Sequence, residues 1–537
     1  MRSRSLVITG LFALATALSF SSTSGCGGGS GGSHFGNGGD GGSSGGSGGS
    51  GSSSGLFGGD GGGSSGGSSS GGTNVTCPSG TQCNVSCSGS TTTTISGKVY
   101  DPALKNGLYD VVVYVPGGPL QPLPAGVPTG ADKCDCGALF KSGAVTSTAT
   151  LVDGTFKLQN APVGPSVPLV LQIGKWRRYM TVDTSMNSCG NTNVPDKQAF
   201  LRGTLTGAGV SPNDNMPDIA VSTGSADTLE CLMKRIGLPD GEYAAGPAST
   251  GHVHVFSGGG GGGKGGGGAG KPENPGMTGA PASDTSLWDM PAGQTAPTHL
   301  MAYDILLLSC EGGETYNANP QALEAYLNAG GRAFGSHFHY AWFSGPIGSK
   351  QAYAAPTDWG NNLAAWTSGS NGMGNQANGK IVQTLNGSTA VFPKGVTFFQ
   401  WLGLNGALGV NGAPPQELPI LQPRYNAVVG PNNKPSQAWI NDDSTPNTMY
   451  FSFDTPVGGT PNPDGGAPNY CGRAVFSDLH VAGPASMGGP DNPSPPTGCA
   501  DIDLSPQEKA LEFMLFDLSS CVIPDTVAPP DGGGVLQ

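Results

Sequence analysis

Six side chains in the second half of the sequence are of types that do chemistry. His337 and His339 stand two residues apart in Ser336-His337-Phe338-His339-Tyr340. On an extended segment that spacing sends both rings to one side, as a chelating pair requires. His480 ends the strand-like run 473–479, and Asp478 places a carboxylate beside it. Three imidazoles would hold zinc with one position open, and a neutral histidine is also an acid/base group near pH 7. Cys310 and Glu311 follow the apolar run 304–309. Cys310 is a candidate nucleophile with His337 as its base, and Glu311 joins the catalytic candidates. Plainer roles stand beside these: hydrogen-bonded histidines shaping a wall, and a Cys310 that is disulfide-bonded or an inert buried thiol. Outside the Gly/Ser-rich tract 27–73, where it matches by composition alone, G-x-S-x-G does not occur, which argues against a serine elbow.

These residues need elements to position them. The continuous apolar run 304–309 reads as a strand buried on both faces of a parallel sheet. Asn319 then caps a helix over 320–329, with Pro320 at its first position and Gly330 closing it, and 332–336 is the next strand. Upstream, 218–222 is a strand, Asp227 to Glu230 a capping box, and Leu229, Leu232, Met233 and Ile236 one helical face, followed by a strand at 252–256. Downstream, 396–402, 427–429, 449–453 and 473–479 read as strands. Ser505-Pro506-Gln507-Glu508 opens a closing helix that carries Cys521 back to the body. The order forecasts a flavodoxin-like, doubly wound α/β domain over 216–525, with the strand ends at 310–311 and 337–339 opening onto a crevice.

Residues 74–215 predict a small all-β sandwich. Strands are expected at 95–100, 109–115, 167–173 and 178–182, with a hairpin of 148–152 and 155–158 turning at Asp153-Gly154. Lys175-Trp176-Arg177-Arg178 reads as an exposed strand edge blunted by charge. The tract 258–271 is almost all glycine and reads as a disordered insertion, since poly-Gly matches any glycine motif; 526–537 is a tail. Only 11% of residues are charged and the formal net charge is −13, which excludes the basic stripe a nucleic-acid binder needs.

Arg2 and Arg4 precede an apolar stretch, 6–20, too short to span a membrane, so 1–26 is expected to be an export signal. Thr23-Ser24-Gly25-Cys26 resembles a bacterial lipobox. The resemblance implies lipidation at Cys26, the alternative being ordinary cleavage. Residues 27–73, nearly all Gly and Ser, then form a disordered tether of roughly 35–40 Å mean span. The expected location is the cell envelope, anchored in the outer membrane and facing the surface. Twelve cysteines in an exported chain predict disulfides. Without Cys26, six precede residue 218 and five follow it, so one thiol is left over in the second half.

Two further resemblances follow from short motifs. Ser96-Gly97-Lys98-Val99-Tyr100-Asp101, Val111 to Val113, Asp153-Gly154-Thr155-Phe156 and Pro162-Val163-Gly164 resemble a carboxypeptidase regulatory-like, transthyretin-type sandwich, which implies a structural or adhesive spacer. Tyr303 to Leu308, Gly330 to Gly335 and Gly472 to Phe476 resemble the class I glutamine amidotransferase-like fold, in particular its trehalose-utilisation branch. In that family a cysteine stands in the frame G-x-C-x-G. Here Gly335 and Ser336 fill the first places, His337 stands where the cysteine would be, and His339 replaces the second glycine. The family nucleophile is missing, so acyl transfer is not expected. The leading expectation is a lipid-anchored protein that binds a cell-surface or carbohydrate ligand without catalysis. The alternative is a metal- or cysteine-dependent hydrolase of an extracellular substrate.

Overall fold

The computed structural model describes residues 75–258, 277–289, 297–315, 319–351, 353–369, 372, 376–459, 470–481, 489–492 and 494–528. Cys26, the 27–73 tether, all but the first residue of the 258–271 insertion and the end of the 526–537 tail lie outside the described residues.

The apolar run becomes the strand Ile305–Leu308, buried throughout. It pairs in parallel with Ile219–Ser222 on one side and Arg332–Ser336 on the other. Ile305 and Leu307 enter one core cluster while Leu306 and Leu308 enter a second. Alternate residues of a strand point to opposite faces, so both faces of this sheet are covered. Val253–Phe256 and Tyr243–Ala245 extend it in parallel at one end, and Gly472–Ser477 pairs in parallel with Arg332–Ser336 at the other. Beyond Gly472–Ser477 come Thr448–Thr455, Gln437–Asp442, Ala377–Ile381 and Glu417–Ile420, all antiparallel. The result is a mixed ten-stranded sheet. The helices Leu229–Arg235 and Pro506–Ser519 pack on one face and Pro320–Asn328 on the other. The closing helix has the expected capping box between Ser505 and Glu508.

The first region forms two further four-stranded sheets. Thr94–Tyr100 pairs with Thr155–Leu158, and Val112–Pro116 lies between Ala144–Ala149 and Val167–Ile173. Their inner residues, among them Ile95, Val113, Leu171 and Trp176, continue without a break into the core beneath the ten-stranded sheet. Trp176 packs on Phe516 and Tyr109 stacks on Phe513 of the closing helix. Burying each such side chain contributes about 1.5–3 kcal/mol. The described chain is thus mostly β with few helices, and it falls in a single compact unit. Among the described residues no helix is long and apolar enough to cross a membrane.

Five disulfides join Cys77 to Cys83, Cys87 to Cys189, Cys134 to Cys471, Cys136 to Cys521 and Cys231 to Cys499. They fit the oxidising compartment expected for this chain. Two of them cross between the first region and the second. Two crossing pairs leave the parity unchanged, so one second-half thiol, Cys310, remains free and buried.

Several local expectations fail for identifiable reasons. Residues 396–402, β-branched and aromatic, lie in the helix Pro393–Leu404. Its Phe398, Trp401 and Leu402 fall at helical spacing; Phe398 packs on Trp439 and Phe513, and Trp401 on Phe513. The Asp153-Gly154 turn forms, but only Gly154 takes a positive φ, and the strands on either side belong to different sheets instead of pairing as a hairpin. The 175–178 run is not an exposed edge. Lys175, Trp176 and Arg177 are buried, with Lys175 Nζ on Asp304 Oδ1 at 2.5 Å and Arg177 Nε donating to the Asn213 carbonyl at 2.9 Å. Asn319 stands at its helix start without a side-chain cap and donates to the Trp288 carbonyl. Thr228, not Asp227, is the first cap position, and its hydroxyl bonds Asp491.

Candidate metal centre

Ile305–Leu308, Arg332–Ser336 and Gly472–Ser477 are consecutive parallel strands, so their C-terminal ends share one edge of the sheet. Cys310, His337 and His480 follow those three ends, and this topology brings them together. Cys310 Sγ lies 3.3 Å from His337 Nδ1, and His337 Nδ1 lies 3.0 Å from His480 Nε2. All three donor atoms fall within 4.8 Å of one another, close enough to share one metal ion. The bond lengths of tetrahedral zinc imply donor separations of about 3.3–3.6 Å, and the two separations at His337 Nδ1 lie close to that range.

His339 does not join them. The expectation of same-side rings assumed an extended segment, but His337–His339 is a 3-10 turn entered with His337 at φ +41°. At three residues per turn, positions two apart point to different sides. His339 Nδ1 faces the Ser336 carbonyl at 3.3 Å, and its ring stands edge-on to Trp342. Its Nε2 is 3.9 Å from Glu311 Oε1, beyond hydrogen-bond range. The cysteine takes the place in the cluster that the second histidine was expected to fill. Asp478 is not a ligand either: its Oδ2 accepts the Asn426 and Ala427 amides. Burial pushes its carboxyl up to about 7.

Among the described residues the strand ends do not open onto a crevice, since Cys310, Glu311, His337, His339 and His480 are all buried. A cavity of about 360 Å³ lies elsewhere, between the 121–141 segment, Lys175, Asp304 and the Cys471 and Cys521 bridges. Burial governs the electrostatics of the cluster. It lowers His337 far below the usual histidine range, helped by His480, Arg424 and His339, and it lowers His480 likewise, helped by Arg424. It lowers His339 to about 4. The Cys310 thiol is pushed up to about 12 by burial, against the lowering effect of the Phe338 and Gly312 backbone amides.

Cys310 and His337 therefore touch as a neutral thiol and a neutral imidazole. A nucleophilic pair needs the thiolate, which this site does not supply by itself. The same donors suit a cation. The imidazoles keep their lone pairs, and the Phe338 and Gly312 amides support sulfur as it gives up its proton on binding. The Nε2 of His337 has no hydrogen-bond partner.

Sequence reasoning missed three residues around the cluster. Asp227, read as part of a helix cap, accepts from Ser336 Oγ at 2.6 Å and from the Val481 amide at 3.1 Å, tying two strand ends together. Gln422 and Arg424 lie against His480 from a segment with no motif to mark it. No family model, curated protein or solved structure matches the chain.

Proposed function

We propose that this chain is an exported, lipid-anchored envelope protein, carried on the outer membrane and facing the surface, that binds a cell-surface or carbohydrate ligand without catalysis. In this reading Cys26 bears the lipid and 27–73 is the tether. The sandwich is a carboxypeptidase regulatory-like spacer, and the ten-stranded sheet belongs to a flavodoxin-like, amidotransferase-like unit that has lost its nucleophile. The cluster of Cys310, His337 and His480 holds zinc. One observation carries the non-catalytic part: Cys310, the free cysteine among the described residues, is fully buried and its thiol is pushed up to about 12.

The test has two arms. Cys26→Ser should move the protein from the membrane fraction to the soluble one, and unchanged fractionation defeats the anchor. Wild-type protein prepared without chelators should carry about one zinc per chain and Cys310→Ser should carry none; a metal-free wild type defeats the zinc assignment. The second reading, a metal-dependent hydrolase, draws on the three-donor count, which leaves one position of a tetrahedral ion open. It requires solvent to reach the ion. Loss of zinc to a chelator within seconds favours the hydrolase, and retention over hours favours the binder.

A further inference from the structure

His480 presents one ring nitrogen to the cluster and the other to its surroundings. Nε2 is the inward atom, 3.0 Å from His337 Nδ1. The outward Nδ1 has two neighbours of opposite character: Gln422 Oε1, an acceptor, at 2.7 Å and Arg424 Nη2, a donor, at 3.0 Å. Their placement is built into the backbone. Segment 422–424 runs antiparallel to 478–480, with the Arg424 amide on the Asp478 carbonyl at 2.8 Å and the His480 amide on the Gln422 carbonyl at 3.1 Å. Pro423 and Leu479 form the bridge between them. From the other side Gln507 Nε2 donates to the His480 carbonyl at 2.5 Å.

A ring nitrogen either carries a proton and donates, or lacks one and accepts. If Nδ1 accepts from Arg424, the single proton of the neutral ring sits on Nε2, points at His337 and closes the site to a cation. If Nδ1–H donates to Gln422, Nε2 offers its lone pair toward Cys310 and His337. The two tautomers exclude each other, and only the second binds a metal. Outward hydrogen bonds of this kind fix the tautomer of metal-ligating histidines and change affinity about 10–100-fold when removed.

We propose that Gln422 is the positioning residue of this site: it holds His480 in the Nδ1–H tautomer against the competing Arg424 and thereby sets the affinity for a zinc-class cation. The proposal rests on the zinc reading above. The guanidinium of Arg424 is buried, its Nε has no hydrogen-bond partner, and it makes no ion pair among the described residues. It is therefore a standing competitor for Nδ1.

The experiment uses the full-length oxidised chain and cobalt(II) as a spectroscopic probe, displaced by zinc to obtain affinities. Wild type should develop thiolate-to-cobalt charge-transfer absorption that Cys310→Ser lacks. Gln422→Leu keeps the side chain's bulk but removes the acceptor, and it should bind about 10–100-fold more weakly. Gln422→Glu restores a stronger acceptor and should bind at least as tightly as wild type. Near-ultraviolet circular dichroism of the metal-free variants checks the fold. A merely structural Gln422 would lose affinity in both variants, and that result overturns the proposal, as does unchanged affinity in Gln422→Leu. A wild type that takes up no cobalt defeats the zinc reading itself, and the proposal with it.

Discussion

Glu230 offers the sharpest test of the electrostatics behind the sheet. It lies in the first turn of Leu229–Arg235, is 1% exposed and accepts a hydrogen bond from Ser309 Oγ at 3.3 Å. Burial pushes its carboxyl up to about 8; Asp227 and Asp491 add to the shift, and Ser309 and its own backbone amide oppose it. An ordinary glutamate ionises near ~4.3, so between that pH and about 8 the unfolded chain is ionised while the folded chain keeps the proton. Stability from this residue is full below the ordinary value and falls by about 1.4 kcal/mol per pH unit as pH rises to the folded value, after which it is flat. The total is roughly 5 kcal/mol. Glu230→Gln keeps the shape of the protonated group and cannot ionise. Denaturant unfolding under non-reducing conditions should place wild type and variant within about 1 kcal/mol at pH 5, with the variant several kcal/mol more stable at pH 8.5. The same difference at both pH values would refute the reasoning.

Two other outcomes test the junction between the sandwich and the ten-stranded sheet. Lys175→Met leaves Asp304 without its cation and should cost about 3–5 kcal/mol at neutral pH. The cost should shrink at pH 5, since burial holds the Asp304 carboxyl at about 6 and it is then largely protonated; an equal loss at both pH values would show that the ion pair is not responsible. Removing the Cys134–Cys471 bridge by paired serine substitutions should cost about 4 kcal/mol, because with Cys136–Cys521 intact it still closes a loop of about 50 residues between Cys471 and Cys521. Removing both bridges should cost clearly more than removing either alone, since the second removal then frees the much longer loop between Cys136 and Cys521. A double removal no more costly than the single one in unfolding experiments would contradict that loop-closure reasoning.

Much of the fold was legible in the sequence where one local signal was enough. The apolar run at 305–308, the helix opened by Pro320, the strand starting at Arg332 and the Ser505–Glu508 box all form as read, because periodicity and capping are properties of a few adjacent residues. Residues 396–402 show the limit. Their β-branched and aromatic side chains favour a strand by propensity, but a helix lets Phe398 and Trp401 reach Phe513.

The sequence by itself determined the donor inventory, the strand ends that carry it and the odd cysteine in the second half. Tertiary structure alone decided which donors meet. His337 and His339 are neighbours in the chain and part company because a left-handed His337 starts a tight turn. Cys310, His337 and His480 are distant in the chain and converge because three consecutive parallel strands end on one edge. Gln422 and Arg424 reach His480 only through backbone pairing between segments more than fifty residues apart. Spacing along a chain fixes direction only while the local conformation is known, and pairing between distant segments depends on the whole packed sheet.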